Sequence, residues 1–334
     1  MAPEKVRPPD PGEAAAGPGV VEGVTVGHAS GVSTGVTVVL CLGGAVAGVD
    51  LRGGATGTRE VDACLPGHLV DRVHGLCLAG GSAFGLAAAG GVMRWLEEQG
   101  AGFPTRAGRV PIVPGAILYD LAVGDPRDRP DEAMGYAACV AAGKGPVAEG
   151  SVGAGTGASV GKLFGMGRAT KGGLGCASAG QGDLRVGVLA AVNAFGDVVD
   201  PASGRIVAGA RDAEGRFADT AACLSRGAIP PGFGTPPPDP STTLVVVATN
   251  APLDKVQACR LAAAGSLGVA RAIRPVHTRF DGDVVFAFAT GLVQAPLEQV
   301  AALAADLTAE AILRAVNAAT GLGGIPAASE AAPR

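Results

Sequence analysis

With 334 residues, 48% hydrophobic and 17% charged, the chain can bury one large core or two modest ones, which excludes a disordered polypeptide. A net charge of −4, no Lys/Arg cluster and 4% aromatics argue against a nucleic-acid surface or a base-stacking platform. The 55 glycines follow no Gly-X-Y period, so they imply close backbone contacts and tight turns instead of a collagen helix.

Residues 1–19 are rich in Pro, Ala and Glu, without the basic start and apolar block of a secretion signal, and read as a loose leader. Val36–Cys41 and Val73–Ala79 read as strands. The turn Gly80–Gly81 then leads to Ser82 as an N-cap and a helix from Ala83 to Gln99, closed by Gly100. Gly75–Met93 carries no charge, but its glycine pairs and alanines suit a buried core better than a membrane span. Val186–Val192 and Leu244–Ala248 are continuously apolar, as fully buried strands are, and Val284–Ala289 is a further strand. Pro252–Ala270 and Pro296–Asn317 read as helices with Pro near the first turn. Strands interleaved with helices indicate layered α/β packing. Arg211–Pro240, ending PPGFGTPPPDP, reads as a long loop whose prolines block regular structure and which could expose and strain the bond that follows it.

Several familiar motifs fail. Gly153, Gly155 and Ala158 satisfy G-x-G-x-x-A, but the acidic residue a dinucleotide site needs comes late, at Asp183. Gly161–Lys162 lacks the leading glycine and trailing hydroxyl of a phosphate loop. The histidines (His28, His68, His74, His277) have no metal-ligand spacing, and no G-x-S-x-G elbow surrounds a serine. The seven cysteines form no C-x-x-C and are odd in number, which fits free thiols in a reducing, cytoplasmic compartment. No cofactor and no metal are expected.

That leaves Ser241-Thr-Thr-Leu-Val-Val-Val-Ala-Thr-Asn250. Read from the residues alone, it is a core strand entered through hydroxyl side chains. Its place directly after the Pro-rich loop allows a second reading, in which Thr242 is a nucleophile freed as a new N-terminus. An N-terminal Thr carries both its nucleophile and, in its α-amine, a base whose ordinary pKa of about 7.7–8.0 leaves it partly neutral.

Seven blocks carry a resemblance: GVDLRGGATGTRE (Gly48–Glu60), LAGGSAFGLAAAGGVMRWLEEQG (Leu78–Gly100), VPIVPGAILYDL (Val110–Leu121), GSVGAGTGASVGK (Gly150–Lys162), GVLAAVNAFGDVVDP (Gly187–Pro201), STTLVVVATNAPL (Ser241–Leu253) and RPVHTRFDGDVVFA (Arg274–Ala287). In this order, from about Gly23 to Gly291, they resemble the P1-family peptidases, DmpA-like autoprocessing aminopeptidases and amide hydrolases. The resemblance implies an α/β fold, a layered αββα sandwich related to ornithine acetyltransferase and like the N-terminal-nucleophile hydrolases. It implies cleavage of Ser241–Thr242, giving an α part (20–241, with 211–240 as processing loop) and a β part (242–334) within one catalytic domain.

Carried over residue by residue, Thr242 matches the nucleophile and Asn193 the oxyanion amide. Tyr119 matches an active-site tyrosine and Lys162 a cation that lowers the amine pKa. Asp281 and Asp283, spaced i and i+2, would both reach toward Thr242 if extended. Without the family, Asn193 reads as a turn former, Tyr119 as a strand residue, Lys162 as a surface charge and the Asp-Gly-Asp run as a turn. The Asp pair places the chain nearer the nylon-oligomer-endohydrolase branch. Ser241, preceded by Pro240, departs from the Asn or Gly usual before the nucleophile, so cleavage at Pro240–Ser241 with Ser241 as nucleophile is a minor alternative.

The expected partner is a small peptide or amide substrate, with no nucleic acid and no membrane, and family analogy implies a homo-oligomer of processed α/β units. Two other readings are an acyltransferase of the ornithine acetyltransferase type and an unprocessed, non-catalytic relative.

Overall fold

Side-chain alternation along the central strands decides how the molecule is layered. The computed structural model describes residues 17–228 and 240–331. In the strand Val73–Ala79, Leu76 and Leu78 point one way and Cys77 and Ala79 the other. Cys77 and Ala79 join Val36, Val38 and Leu40 beneath Ala88, Val92 and Leu96 of the helix Ala88–Glu98, with the helix Glu132–Val140 alongside. In the strand Thr242–Thr249, Val245 and Val247 pack beneath Leu261 of the helix Lys255–Ala272 and Ile312 of the helix Leu297–Ala318. Leu244, Val246 and Ala248 face the opposite way and meet Leu76 and Leu78 in a shared central core. Three cores separate four layers: helices, sheet, sheet, helices. The expected αββα sandwich is what the chain adopts.

The two sheets are joined through one long strand, Gly35–Leu51. Its first part, Val36–Leu40, pairs antiparallel with Val73–Ala79. After a register shift between Leu40 and Ala45, its second part, Val46–Leu51, pairs antiparallel with Val284–Ala289. The continuous order runs Gly173–Gln181, Leu184–Asn193, Thr242–Thr249, Val284–Ala289, Gly35–Leu51, Val73–Ala79, Gly115–Ile117 and Thr58–Arg59, with Thr25–Ser30 pairing off the long strand. Thr242–Thr249 is thus central, antiparallel to Leu184–Asn193 and parallel to Val284–Ala289.

The expected strands all form; Leu184–Asn193 and Thr242–Thr249 run past their apolar runs because Arg185, Asn193, Thr242 and Thr249 still pair in the ladder, and the strand expected to end at Cys41 continues to Leu51. The helix after Gly81 begins differently. Ser82 has φ 55 and makes no cap; Ser82–Ala87 is a 3-10 segment and the α-helix starts at Ala88. The helix expected from Pro252 starts at Lys255, where Asp254 and Gln257 form a capping box. Within the expected leader, Gly17–Val20 is a 3-10 turn with Gly17 and Pro18 buried, lying so close to Gly187 that a β-carbon there would sit 2.0 Å from the Gly17 carbonyl oxygen. Residues 1–16 of the leader and 229–239 of the loop lie outside the described residues. The remainder of that loop holds a short helix, Thr220–Ser225, capped by Asp219. Among the described residues, no helix is long and apolar enough to cross a membrane.

Candidate active site

The site forms where two neighbouring strands end. Asn193 closes Leu184–Asn193 and Thr242 opens Thr242–Thr249, and the antiparallel register puts them directly opposite each other. Leu189 and Ala191 on one strand and Leu244 and Val246 on the other line the core between the sheets. Period-two alternation therefore turns Asn193 and Thr242 toward that same face. Both are buried, Asn193 at 0% exposure and Thr242 at 1%.

The Asn193 amide is fully oriented. Its Oδ1 accepts from the Ser159 N–H and from Lys162 Nζ, each at 2.9 Å, and its Nδ2 donates to the Tyr119 carbonyl at 2.9 Å. Two donors on one atom leave no doubt which end is the oxygen. The second N–H of Nδ2 is then the donor remaining for an incoming oxyanion. Lys162 also donates to the Asn193 main-chain carbonyl at 3.2 Å and is 5% exposed. Its Nζ is therefore buried against Asn193, not a surface charge. Gly161 makes this possible: its φ is 72, and a β-carbon there would sit 1.9 Å from the Ala210 nitrogen. Tyr119 follows the strand Gly115–Ile117 and enters the hydrogen-bond network through its main-chain carbonyl.

The Ser241–Thr242 bond is buried, with Ser241 at 0% exposure, while Pro240 directly before it is exposed. The Ser241 carbonyl oxygen accepts from the Gly282 N–H at 2.7 Å and from the Thr242 hydroxyl at 2.6 Å. Ser241 pairs in parallel with Asp281, extending the ladder that joins Thr242–Thr249 to Val284–Ala289.

Asp281 and Asp283 bond to the neighbours of Thr242 and not to its hydroxyl. Asp283 Oδ1 accepts from the Thr243 N–H at 2.6 Å and its Oδ2 meets His277 Nδ1 at 2.8 Å. Asp281 Oδ1 accepts from the Phe195 N–H at 3.0 Å, while its Oδ2 takes the Thr278 N–H and hydroxyl at 2.9 and 2.6 Å. Burial pushes the Asp281 carboxyl above the usual carboxylate range, and the neighbouring Asp283 charge pushes it further.

Four participants were not legible in the sequence: Ser159, Gly282, His277 and Lys171. Ser159 and Gly282 act through main-chain N–H groups, which no side-chain pattern reports. His277 lies within the block Arg274–Ala287 but has no spacing that marks it. Lys171 is 0% exposed, and its Nζ donates to the carbonyls of Ala158 at 2.8 Å, Gly172 at 3.1 Å and Gly155 at 3.3 Å. It thereby ties down the glycine-rich segment that carries Ser159.

Residues 20–328 match the model of Peptidase family S58. An uncharacterized aminopeptidase of Mycobacterium tuberculosis is 46% identical over 339 aligned positions, covering 92% of this chain and 95% of the relative. A 6-aminohexanoate-oligomer endohydrolase of a Kocuria species is 33% identical over 276, covering 82% and 75%. The L-aminopeptidase D-Ala-esterase/amidase of Ochrobactrum anthropi, a variant of the Ntn hydrolase fold, superposes with a TM-score of 0.70 over 96% of this chain and 91% of that one at 22% identity. The fold is thus that of an Ntn hydrolase. With the family matched over nearly the whole length, the chain belongs to Peptidase family S58 and is a peptidase or amidohydrolase.

Proposed function

We propose that the chain cleaves its own Ser241–Thr242 bond and then hydrolyses amides with Thr242 as an N-terminal nucleophile. One observation carries the reading: the Ser241 carbonyl oxygen is held by two donors, the Gly282 N–H at 2.7 Å and the Thr242 hydroxyl at 2.6 Å. A C=O bond is only about 1.23 Å long, so a hydroxyl in contact with the oxygen is also close to the carbon. The Gly282 N–H supports the charge that builds on that oxygen during attack.

In processing, Thr242 Oγ1 bonds to the Ser241 carbonyl carbon and the Ser241–Thr242 C–N bond breaks. The hydroxyl proton ends on the departing nitrogen, which becomes the α-amine. Water then hydrolyses the ester, leaving a Ser241 carboxylate and a free Thr242 hydroxyl. In turnover, Thr242 Oγ1 attacks the substrate carbonyl and its α-amine takes the proton, while Asn193 Nδ2 stabilises the oxyanion. The proton passes to the leaving amine, and water activated by the same α-amine releases the acid. Lys162 holds Asn193 in the orientation this requires. The names of the relatives support two substrate types, the N-terminal residue of a small peptide and a linear amide of an ω-amino acid.

The test is intact-mass analysis of purified wild type beside Thr242→Ala, with hydrolysis of both amide types assayed. The expected result is two wild-type fragments divided before Thr242, a single chain from the variant, and activity only in the wild type. A wild type that stays whole, or a Thr242→Ala protein that divides at the same bond, would overturn the proposal.

A further inference from the structure

His277 is a histidine in the left-handed region, with φ 53. A non-glycine residue there is strained and persists when its surroundings hold it. What holds it is a turn: Asp281 Oδ2 accepts from the Thr278 N–H and hydroxyl, and the Asp281 N–H donates to the Thr278 carbonyl at 3.1 Å. The turn folds His277 back onto the chain six positions on, where its Nδ1 stands 2.8 Å from Asp283 Oδ2. Asp283 Oδ1 in turn accepts from the Thr243 N–H at 2.6 Å. The two carboxylate oxygens thus have one donor each, and the second donor belongs to the residue that follows the nucleophile. The His277 side chain is 22% exposed and that of Asp283 3%, so the imidazole covers the carboxylate on its outer side.

We propose that His277 is a positioning residue for the nucleophile: it fixes the Asp283 carboxylate, which fixes the Thr243 amide and with it the direction in which Thr242 meets the Ser241 carbonyl. The inference rests on the Thr242 reading above. A carboxylate with one donor can rotate about its side chain, and the Thr243 N–H then loses its fixed acceptor. Thr242 precedes that amide by one residue, so a small rotation there moves Oγ1 relative to the carbon it must reach. Misplacement by about 1 Å is worth on the order of 100-fold in rate.

Asn and Asp at this position make an isosteric pair. Both tolerate left-handed backbone, and both place an atom where Nδ1 stands. The Asn amide donates to Asp283, whereas an Asp carboxylate repels it. Glycine serves as a backbone control, because it removes both the donor and the strain. The measurements are the rate at which the newly purified chain divides before Thr242, and kcat and KM for an amide substrate once it has divided. His277→Asn is expected to recover most of the wild-type rate. His277→Asp and His277→Gly are expected to divide about ten-fold or more slowly and to lose kcat with KM little changed.

Equal rates for the Asn and Asp variants, fast or slow, would overturn the proposal, because the donor would then not be what matters. So would a His277→Gly protein that divides at the wild-type rate. A wild type that never divides fails at the earlier step and removes the Thr242 reading itself. Normal wild-type division with indifference to His277 chemistry removes the positioning role alone.

Discussion

Asn193 and Thr242 stand opposite each other at the ends of adjacent antiparallel strands, and both side chains face the layer between the two sheets. That pairing sets an amide donor against a hydroxyl without any loop having to be placed. A site built on paired strands is held by the same ladder that holds the core.

Asn193 should carry the largest catalytic effect after Thr242. Asn193→Ala is expected to lower kcat about 100- to 1000-fold, as losing an oxyanion donor does elsewhere. Asn193→Asp keeps the shape but sets an oxygen against the Tyr119 carbonyl, and should be no better than alanine. Steady-state kinetics on an amide substrate decides this; an Asn193→Ala enzyme with normal turnover would remove the residue from the oxyanion role.

Lys171 should matter for stability more than for turnover. Lys171→Met removes one donor from each of three carbonyls, but the Ala158 carbonyl keeps the Gly172 N–H at 2.9 Å and the Gly155 carbonyl keeps the Ala158 N–H at 3.3 Å, so a loss of about 1–3 kcal/mol is expected in chemical denaturation. A change within about 0.5 kcal/mol would show that the segment around Gly155–Ala158 holds itself.

Gly161→Ala tests the backbone that delivers Lys162. A β-carbon there would meet the Ala210 nitrogen at 1.9 Å and the Gly209 carbon at 2.1 Å, and the φ of 72 is strained for alanine. Main-chain atoms cannot move aside cheaply, so a loss of about 3 kcal/mol or more and reduced turnover are expected. Thermal unfolding at wild-type temperature would contradict this.

The raised Asp281 carboxyl gives a signed pH effect. Its folded pKa lies above the unfolded one, so between the two values the native state holds more protons than the unfolded state. The stability this group contributes is complete below its ordinary 3.8 and is lost as pH rises through the raised folded value. Asp281→Asn cannot titrate. Wild-type unfolding free energy should therefore fall relative to that of the variant as pH rises from about 4 toward neutrality. Parallel curves for the two proteins would show that Asp281 ionises at its usual pH.

The strands and helices were legible because burial on both faces writes itself as unbroken apolar runs such as Leu244–Ala248, and helix starts carry residues such as Pro296. Ser82 misled for a local reason: as a hydroxyl residue after two glycines it has the look of a cap, but its φ of 55 is left-handed and it lies inside a 3-10 segment that Gly81 precedes. The side chains Thr242, Asn193 and Lys162 could be named from the ordered family blocks. Their bonds could not, because a block fixes the residue and leaves open what lies across from it.

By itself, then, the sequence determined the layered class of the fold and the family, since apolar periodicity and ordered motifs are properties of the chain alone. Tertiary structure decided that the Lys162 Nζ is buried on Asn193, that Asp283 serves Thr243 and His277, and that Gly282 donates to the Ser241 carbonyl. Each of these depends on strand register and on main-chain N–H direction, which arise only when segments distant in sequence pair.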